Sequence, residues 1–280
     1  INIDKILPSH WGLKIPVSTT FSNSLSRPKY FPGQDILVDK SNTPDSILVT
    51  SNAITFTVAA SKSSKSDNKL LKYTIDKMNT RFSVNRRSMS NEIQKEVLNQ
   101  TYQGQVGYTL PFGRNNYFMP FKWVSNVPII GEKLSKTHLY YSPATINASM
   151  NFSERLTQKT PRRGEKSPDD YNFGLNQSYA LDYKMTETIN TKFSRVIQSN
   201  LNDYRGYMSN ALKNRDPGVV TNITESFTSS FSPTIMDWLK PTFNYTANYR
   251  WNKARDTSVE GANIGNQLRF SSGISLSPLK

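Results

Sequence analysis

The stretch that decides the fold runs from Trp11 to Phe21 and reads W-G-L-K-I-P-V-S-T-T-F. Its larger, mostly apolar residues alternate with Gly, Lys, Pro, Ser and Thr, so a strand here has one apolar face. At about 3.3 Å per residue, eleven residues extend for roughly 35 Å. Few strands of soluble proteins are that long. Such a strand needs an apolar layer along its whole length, and a lipid bilayer supplies one.

The same alternation returns at several places further along the chain. It is found in the segments 54–60, 102–112, 144–152, 173–185, 189–193, 219–231, 243–251 and 268–276. The intervening positions are rich in Asn, Ser, Thr and Gln. We therefore predict an all-β fold: an antiparallel transmembrane β-barrel segment of about nine or ten long amphipathic strands, which is a curved open sheet when taken alone. Residues 1–280 form a single segment in this interpretation.

Two segments give mixed patterns. Leu71, Ile75 and Met78 have helical spacing, whereas Met78, Thr80, Phe82 and Val84 alternate as a strand does, which favours a strand from about Ile75. The segment 90–99 fits either a short helix or an extension of a strand, and both alternatives stay open.

The composition agrees with strands that have one wet face. Only 36% of the residues are hydrophobic and the mean hydropathy is −0.58, yet the chain has 14 Phe, 14 Tyr and 4 Trp. Transmembrane barrels look hydrophilic on average because half of every strand faces water. No stretch approaches the ~18 apolar residues of a membrane-spanning helix, which excludes an α-helical membrane protein.

The net charge of +14 raises the alternative of a polyanion partner. The Lys and Arg residues cluster in turn-like segments such as 61–72, 159–166 and 213–215, and they form no stripe or known RNA-binding motif. Aromatic and basic residues mostly take opposite faces of the predicted strands. Basic loops or a basic lumen therefore explain the charge better than nucleic acid does.

Little in the sequence points to catalysis. Cysteine is absent, which excludes disulfides and thiolate chemistry. The two histidines, His10 and His138, fall in separate loops and are interpreted as exposed or capping residues. Asp169 and Asp170 lie in a charged loop, where a solvated turn is expected in preference to a metal site. We predict no enzyme activity and no catalytic, cofactor-binding or metal-binding residue; alanine substitutions at these four positions should leave function intact.

Several quoted stretches resemble one family of bacterial membrane proteins. They are L-P-S-H-W-G-L-K-I-P-V at 7–17, R-P-K-Y-F-P-G-Q-D-I at 27–36, L-L-K-Y-T-I-D-K-M-N at 70–79, M-D-W-L-K-P at 236–241 and the strand end Y-R-W at 249–251. These resemble the SprA/Sov family, the giant outer-membrane translocons of the type 9 secretion system of Bacteroidetes-related bacteria. W-G-L-x-I-P followed by P-K-Y is the most specific part.

The resemblance implies a function and a location. It implies a section of a protein-conducting barrel in the outer membrane of a Gram-negative bacterium, which exports proteins to the cell surface and supports gliding motility. The implied partners are outer-membrane lipid, the remainder of the parent barrel, secreted cargo proteins and accessory secretion-system proteins, with no nucleic acid and no cofactor. Rings such as Trp11, Phe21, Tyr108, Tyr249 and Trp251 would form an interfacial girdle.

Two features depart from the family pattern. The loop between Asp39 and Ile54 is short, and the chain is a small part of a giant protein. Ile1 is not an initiator, and the residues 277–280 lack a closing aromatic strand, so we expect a fragment. The alternatives are an ordinary outer-membrane porin or receptor barrel and, with less support, a soluble basic nucleic-acid-binding β-protein.

Overall fold

The computed structural model of the chain describes residues 8, 11–39, 43–63, 66–128, 131–205, 213–214, 216–233, 236, 238–253 and 261–276. His10 and the segment 277–280 lie outside the described residues. Within the described ranges, no helix has the length and apolar character needed to cross a bilayer.

The chain is nearly all antiparallel β structure. The thirteen strands are β1 Leu13–Lys14, β2 Val17–Ser26, β3 Val49–Lys62, β4 Met78–Ser90, β5 Gln94–Pro111, β6 Tyr117–Phe118, β7 Leu139–Tyr140, β8 Thr145–Pro161, β9 Asp170–Lys184, β10 Ile189–Asn200, β11 Val219–Phe231, β12 Leu239–Lys253 and β13 Ala262–Leu276. Two short α-helices, α1 Lys69–Tyr73 and α2 Gly131–Ser135, and three 3₁₀ turns, Ile75–Lys77, Lys122–Val124 and Asn202–Tyr204, lie in the connections.

One large sheet contains eleven of these strands. Its order is β1-β3-β4-β5-β8-β9-β10-β11-β12-β13, with β2 also paired to β3, while β6 and β7 form a separate two-stranded sheet. Neighbours in the sheet are therefore neighbours in the chain, with two exceptions: β1 pairs with β3 beside β2, and the chain passes through β6 and β7 between β5 and β8. In the described part of the chain β13 pairs only with β12, and β1 and β2 pair only with β3, so the sheet is open. The prediction of an all-β open sheet is confirmed.

The predicted first strand is split at Pro16. Proline has no N–H for the ladder, and the pairing resumes in the same register on both sides, with Lys14 opposite Ser61 and Val17 opposite Val58. The Pro16 carbonyl still accepts a hydrogen bond from the N–H of Ala59 at 3.1 Å. The strand then continues to Ser26, five residues past the predicted end, and Ile15 lies in the interruption.

Both mixed segments are resolved. Helix α1 and a 3₁₀ turn precede β4, which begins at Met78, so the strand predicted from about Ile75 starts three residues too early. The Asn68 side chain caps α1 by accepting from the N–H of Leu70 at 2.9 Å. In the segment 90–99, residues 91–93 form a tight turn in which the Asn91 side chain accepts from the N–H groups of Ile93 and Gln94. Residues 94–99 belong to β5, so the strand alternative is correct and the helical one is wrong.

The chain divides into two compact units. Unit 1 comprises residues 1–106, 150–175 and 200–219, and unit 2 comprises residues 107–149, 176–199 and 220–280. Unit 1 contains a small buried cluster of Phe173, Leu175 and Leu201, against which Phe152, Tyr171 and Tyr204 pack. Most other large apolar side chains of the described residues stay at least partly exposed, because no second layer packs on their strands.

Candidate functional site: the two faces of the sheet

In unit 1 the registered strands β2, β3 and β4 separate two kinds of side chain. Cross-strand neighbours in an antiparallel pair lie on the same face. Phe21 pairs with Ile54, and Phe56 pairs with Val84, so these residues share one side. We call it the apolar face of unit 1. Phe21 is 75% exposed and Phe82 43% exposed on this face. Burial of such rings in lipid, at about 25 cal/mol per Å², would be strongly favourable.

The polar face of unit 1 is the opposite side of the same strands, and its side chains bond to one another. The hydroxyls of Thr57 and Ser83 lie 3.2 Å apart, and the Asn85 amide donates to the Thr55 hydroxyl at 2.7 Å. Arg87 donates from Nε to the Ser51 hydroxyl at 3.0 Å. A row of hydroxyl and amide groups that is this well paired is stable in contact with water and offers little apolar surface.

Both faces extend onto β5 and β8. Gly104 of β5 lies beside a cavity on each of the two faces. On the apolar side, a cavity of about 300 Å³ is lined by Val58, Phe82, Tyr102, Val106 and Phe152. On the polar side, a cavity of about 360 Å³ is lined by Arg81, Ser83, Gln103, Gln105, Asn151 and Ser153. Gly104 borders both cavities, as do Arg81, Gln105 and Phe152. A Cβ atom placed there would lie 3.9 Å from Cδ2 of Phe152, which shields the glycine.

Unit 2 shows the same division on β11, β12 and β13. The rings of Phe231 and Phe243 stack at 6.0 Å, and those of Phe243 and Phe270 at 6.5 Å. Phe270 is 67% exposed. The opposite side carries Asn244, which faces Ser230 on one neighbour and Ser271 on the other. Phe243 and Tyr249 are half-buried and Tyr245 is exposed, so these rings keep part of their surface accessible in the described structure.

Four of the five candidate girdle residues lie near or outside the ends of their strands. Trp11 precedes β1, Phe21 lies inside β2, and Tyr108 lies near the end of β5. Tyr249 and Trp251 occupy the last part of β12, with Trp251 opposite Ile223 and Ile264. These positions fit rings near strand ends, apart from Phe21.

Asp169 has a structural role in unit 1. It accepts a hydrogen bond from Gln158 at 2.9 Å and pairs with Arg205 at 3.2 Å and Lys166 at 3.5 Å. The Gln158 hydrogen bond lowers the pKa of Asp169, with burial opposing and the two cations adding to the lowering. Arg205 also lies over the Tyr171 ring, 5.0 Å from its centroid. These contacts hold the chain after β10 against the start of β9, which the sequence did not indicate. The adjacent Asp170 is exposed.

His138 in unit 2, interpreted from sequence as an exposed or capping residue, has a carboxylate partner in the structure. Its ring is half-buried, and Nδ1 lies 2.5 Å from Oε1 of Glu187. The Tyr117 ring meets the imidazole edge-on with centroids 4.1 Å apart. The Tyr140 hydroxyl lies 3.5 Å from the same Glu187 oxygen. The group fixes the long connection between β5 and β8 to the turn between β9 and β10. Local sequence patterns do not predict this contact, because His138 and Glu187 are 49 positions apart.

The comparisons with known proteins add no assignment. No protein-family model matches the chain. No protein of curated function is significantly similar to it in sequence.

Proposed function

We propose that the chain is a section of a protein-conducting β-barrel of the bacterial outer membrane, of the kind that exports proteins to the cell surface in type 9 secretion and gliding motility. The division of the sheet into an uncovered apolar face and a hydrogen-bonded polar face is the observation that carries the proposal. Lipid would cover the first, and the second would line a water-filled passage. The SprA/Sov resemblance, read from sequence, names the type of conduit.

The open edges support a section of a barrel more than a complete porin. Fifteen consecutive residues of β13 are exposed, and its outer edge has no strand beside it in the described part of the chain. A long unpaired edge is a template for further pairing, and a bilayer tolerates no unpaired edge in its apolar interior. The remainder of the parent barrel is the proposed partner at this edge.

The nucleic-acid alternative is disfavoured by the same division. Single-stranded nucleic acid is bound by aromatic rings and basic groups that share a surface. In the registered strands of unit 1, Phe21, Phe56 and Phe82 lie on the apolar face, whereas Arg81 and Arg87 lie on the polar one. Two cations share the apolar face, Arg86 and Lys62, and Lys62 is paired with Asp76.

Spin labels can test the lipid contact directly. The chain has no native cysteine, so a nitroxide can be attached at a single introduced cysteine in β12 of unit 2. Ala247→Cys lies on the side that carries Phe243, and its neighbour Thr246→Cys lies on the side that carries Asn244. In lipid vesicles we expect oxygen to relax the label at 247 and a water-soluble nickel chelate to relax the label at 246. Equal access of the nickel chelate to both labels would refute a lipid-covered face.

Conduction of protein requires a second experiment. A photo-crosslinking amino acid at position 244 should capture cargo in secreting cells, whereas one at position 245 should capture lipid or nothing. Cargo captured equally from both positions, or from neither while the barrel assembles, would contradict a protein conduit.

A further inference from the structure

The charged side chains of unit 1 are divided unequally between its two faces. The polar face carries Lys14, Arg81, Arg87, Lys95, Arg155 and Lys159, by pairing or by alternation along each strand. Among the described strand residues of unit 1, Asp170 is the one acidic residue on the polar face. The apolar face carries two cations, Lys62 and Arg86, and two carboxylates, Glu96 and Glu154, so its formal charges cancel. The excess positive charge of these strands therefore belongs to the polar face.

The cations of the polar face are exposed, and no acidic partner lies beside them among the described residues. All six are exposed, and none pairs with a carboxylate among the described residues. By contrast, Lys62 contacts Asp76 at 2.8 Å. Within the described part of the chain, Arg87 is the one of the six whose side chain has a hydrogen-bond partner, the Ser51 hydroxyl.

Unit 2 shows a similar imbalance by itself. The polar sides of its strands carry Lys184, Lys192, Lys240, Arg250 and Arg269, and one acidic residue among the described strand positions, Asp182. Lys192 lies 3.8 Å from Asp182. The pattern is thus not confined to one group of strands. It also extends the sequence interpretation, which located basic clusters in turns and found no stripe.

The ligand that fits this surface is an acidic polypeptide. The polar-face positions of β2, β3 and β4 contain hydroxyl, amide, small and basic side chains, together with Val49 and Met89, and no aromatic ring. A surface without rings offers no stacking platform for bases. Spread cations without a pocket attract extended anionic chains weakly, over distances of about 10 Å at moderate salt.

We propose that the polar face of unit 1 selects acidic segments of polypeptide by electrostatic attraction. This inference rests on the proposed function, because it names the chemistry of the cargo that such a wall favours. Attraction distributed over separate cations guides a chain along the surface without fixing it at one point.

The experiment measures binding of a fluorescent poly-L-glutamate peptide to the full chain in detergent micelles that cover the apolar face. The test variant combines Arg81→Gln, Arg87→Gln, Arg155→Gln and Lys159→Gln. The matched control combines Arg86→Gln, Lys69→Gln, Arg163→Gln and Lys213→Gln, which removes the same charge from the apolar face and the connections. We expect the test variant to bind about tenfold more weakly and the control to bind within about twofold of the unaltered chain. Added salt should weaken binding to the unaltered chain.

Each other result overturns the inference. Equal losses in both variants would mean that net charge alone attracts the peptide. Oligo-deoxythymidine bound as tightly as poly-glutamate would point to nucleic acid. Absence of binding to the unaltered chain, shown by circular dichroism to be folded, would refute the attraction. The spin-label result decides the membrane location separately, so the failure of one proposal is distinguishable from the failure of the other.

Discussion

The imidazole Nδ1 of His138 lies 2.5 Å from the Oε1 atom of Glu187, and the backbone N–H of His138 donates to Oε2 of the same carboxylate at 3.2 Å. One carboxylate in the β9–β10 turn thus holds two groups of a connection more than thirty residues long. Tyr117 and Tyr140 pack around the pair. Glu187 is therefore one of the residues that hold this connection in place, together with backbone hydrogen bonds such as that from Tyr140 to Met185.

We expect Glu187→Gln to open the connection locally. Burial acts to raise the pKa of Glu187, but hydrogen bonds from its own backbone and from His138 outweigh it and lower the pKa. The ionised carboxylate is therefore favoured in the folded state, and its contribution is present above the ordinary carboxyl pKa and is lost as the pH falls through the lowered value. Hydrogen exchange at the His138 amide, corrected for intrinsic rates, should show lower protection in the variant and in acid.

Glu132→Gln is the matched control for that substitution. Glu132 pairs with Lys136 on helix α2, but both side chains are more than 70% exposed, and such surface pairs contribute about 0–1 kcal/mol. Protection at His138 that falls equally in both variants would show that Glu187 has no special role.

Asp76→Asn should weaken the connection between β3 and β4. Asp76 accepts from Lys62 at 2.8 Å and from the backbone N–H of Ser66 at 2.6 Å. Led by the Lys62 hydrogen bond, these contacts lower its pKa from 3.8 to about 2. The stabilisation is therefore complete above the unfolded pKa and disappears as the pH falls from about 4 to about 2. As the pH is lowered through this range, the urea concentration at the unfolding midpoint should decrease for the unaltered chain in micelles. It should decrease less for Asp76→Asn. Asp67→Asn, an exposed neighbour, should behave as the unaltered chain does.

Two glycines with positive φ should respond differently to alanine. Gly164 has φ +84° with open space around it, so Gly164→Ala should cost about 1 kcal/mol for the left-handed backbone alone. At Gly218, φ is +74° and a Cβ would lie 2.5 Å from the Asn200 carbonyl oxygen and 2.8 Å from Cδ2 of Leu201. We expect Gly218→Ala to lower the free energy of unfolding by several times more, and to expose Leu201 to solvent. Similar losses at both sites would mean that Gly218 is not crowded in solution.

Arginine at neighbouring positions of β5 should distinguish lipid from water. If Val106 lies near the bilayer midplane, Val106→Arg should cost about 2–4 kcal/mol for folding into bilayers. Gln105→Arg, one residue away on the polar face beside Arg81, should be tolerated apart from added repulsion. Equal penalties would show that the two sides of β5 meet the same medium.

Removal of the chemically reactive side chains should leave transport unchanged. We expect alanine at His10, His138, Asp169 or Asp170 to retain secretion, because the chain is proposed to be a passive wall. The structure adds that Asp169→Ala should loosen Arg205 from Tyr171, measured as increased proteolysis of the chain after β10. Secretion lost at normal abundance of the assembled barrel would reveal a site that this interpretation missed.

Local pattern was sufficient for most strands. The alternation in 102–112, 219–231 and 243–251 depends on neighbours two residues apart, so the chain alone displays it, and the structure has β5, β11 and β12 there. Strand ends were less predictable: β8 runs nine residues past Phe152 because polar residues pair as well as apolar ones in a hydrogen-bonded ladder. The missing N–H of Pro16 indicates a break in the strand, but the long apolar alternation on both sides of it favoured one continuous strand.

What the sequence by itself determined is the set of amphipathic strands and the separation of rings from amides, since both follow from a period of two along one segment. Only the tertiary structure decided which strands are neighbours, and therefore that Arg81, Gln103 and Ser153 border one cavity and that His138 meets Glu187. These relationships join residues tens of positions apart. Strand register sets the first relationship through backbone hydrogen bonds, whose pairing partners cannot be read from a single segment. The second joins two connections, His138 before β7 and Glu187 between β9 and β10.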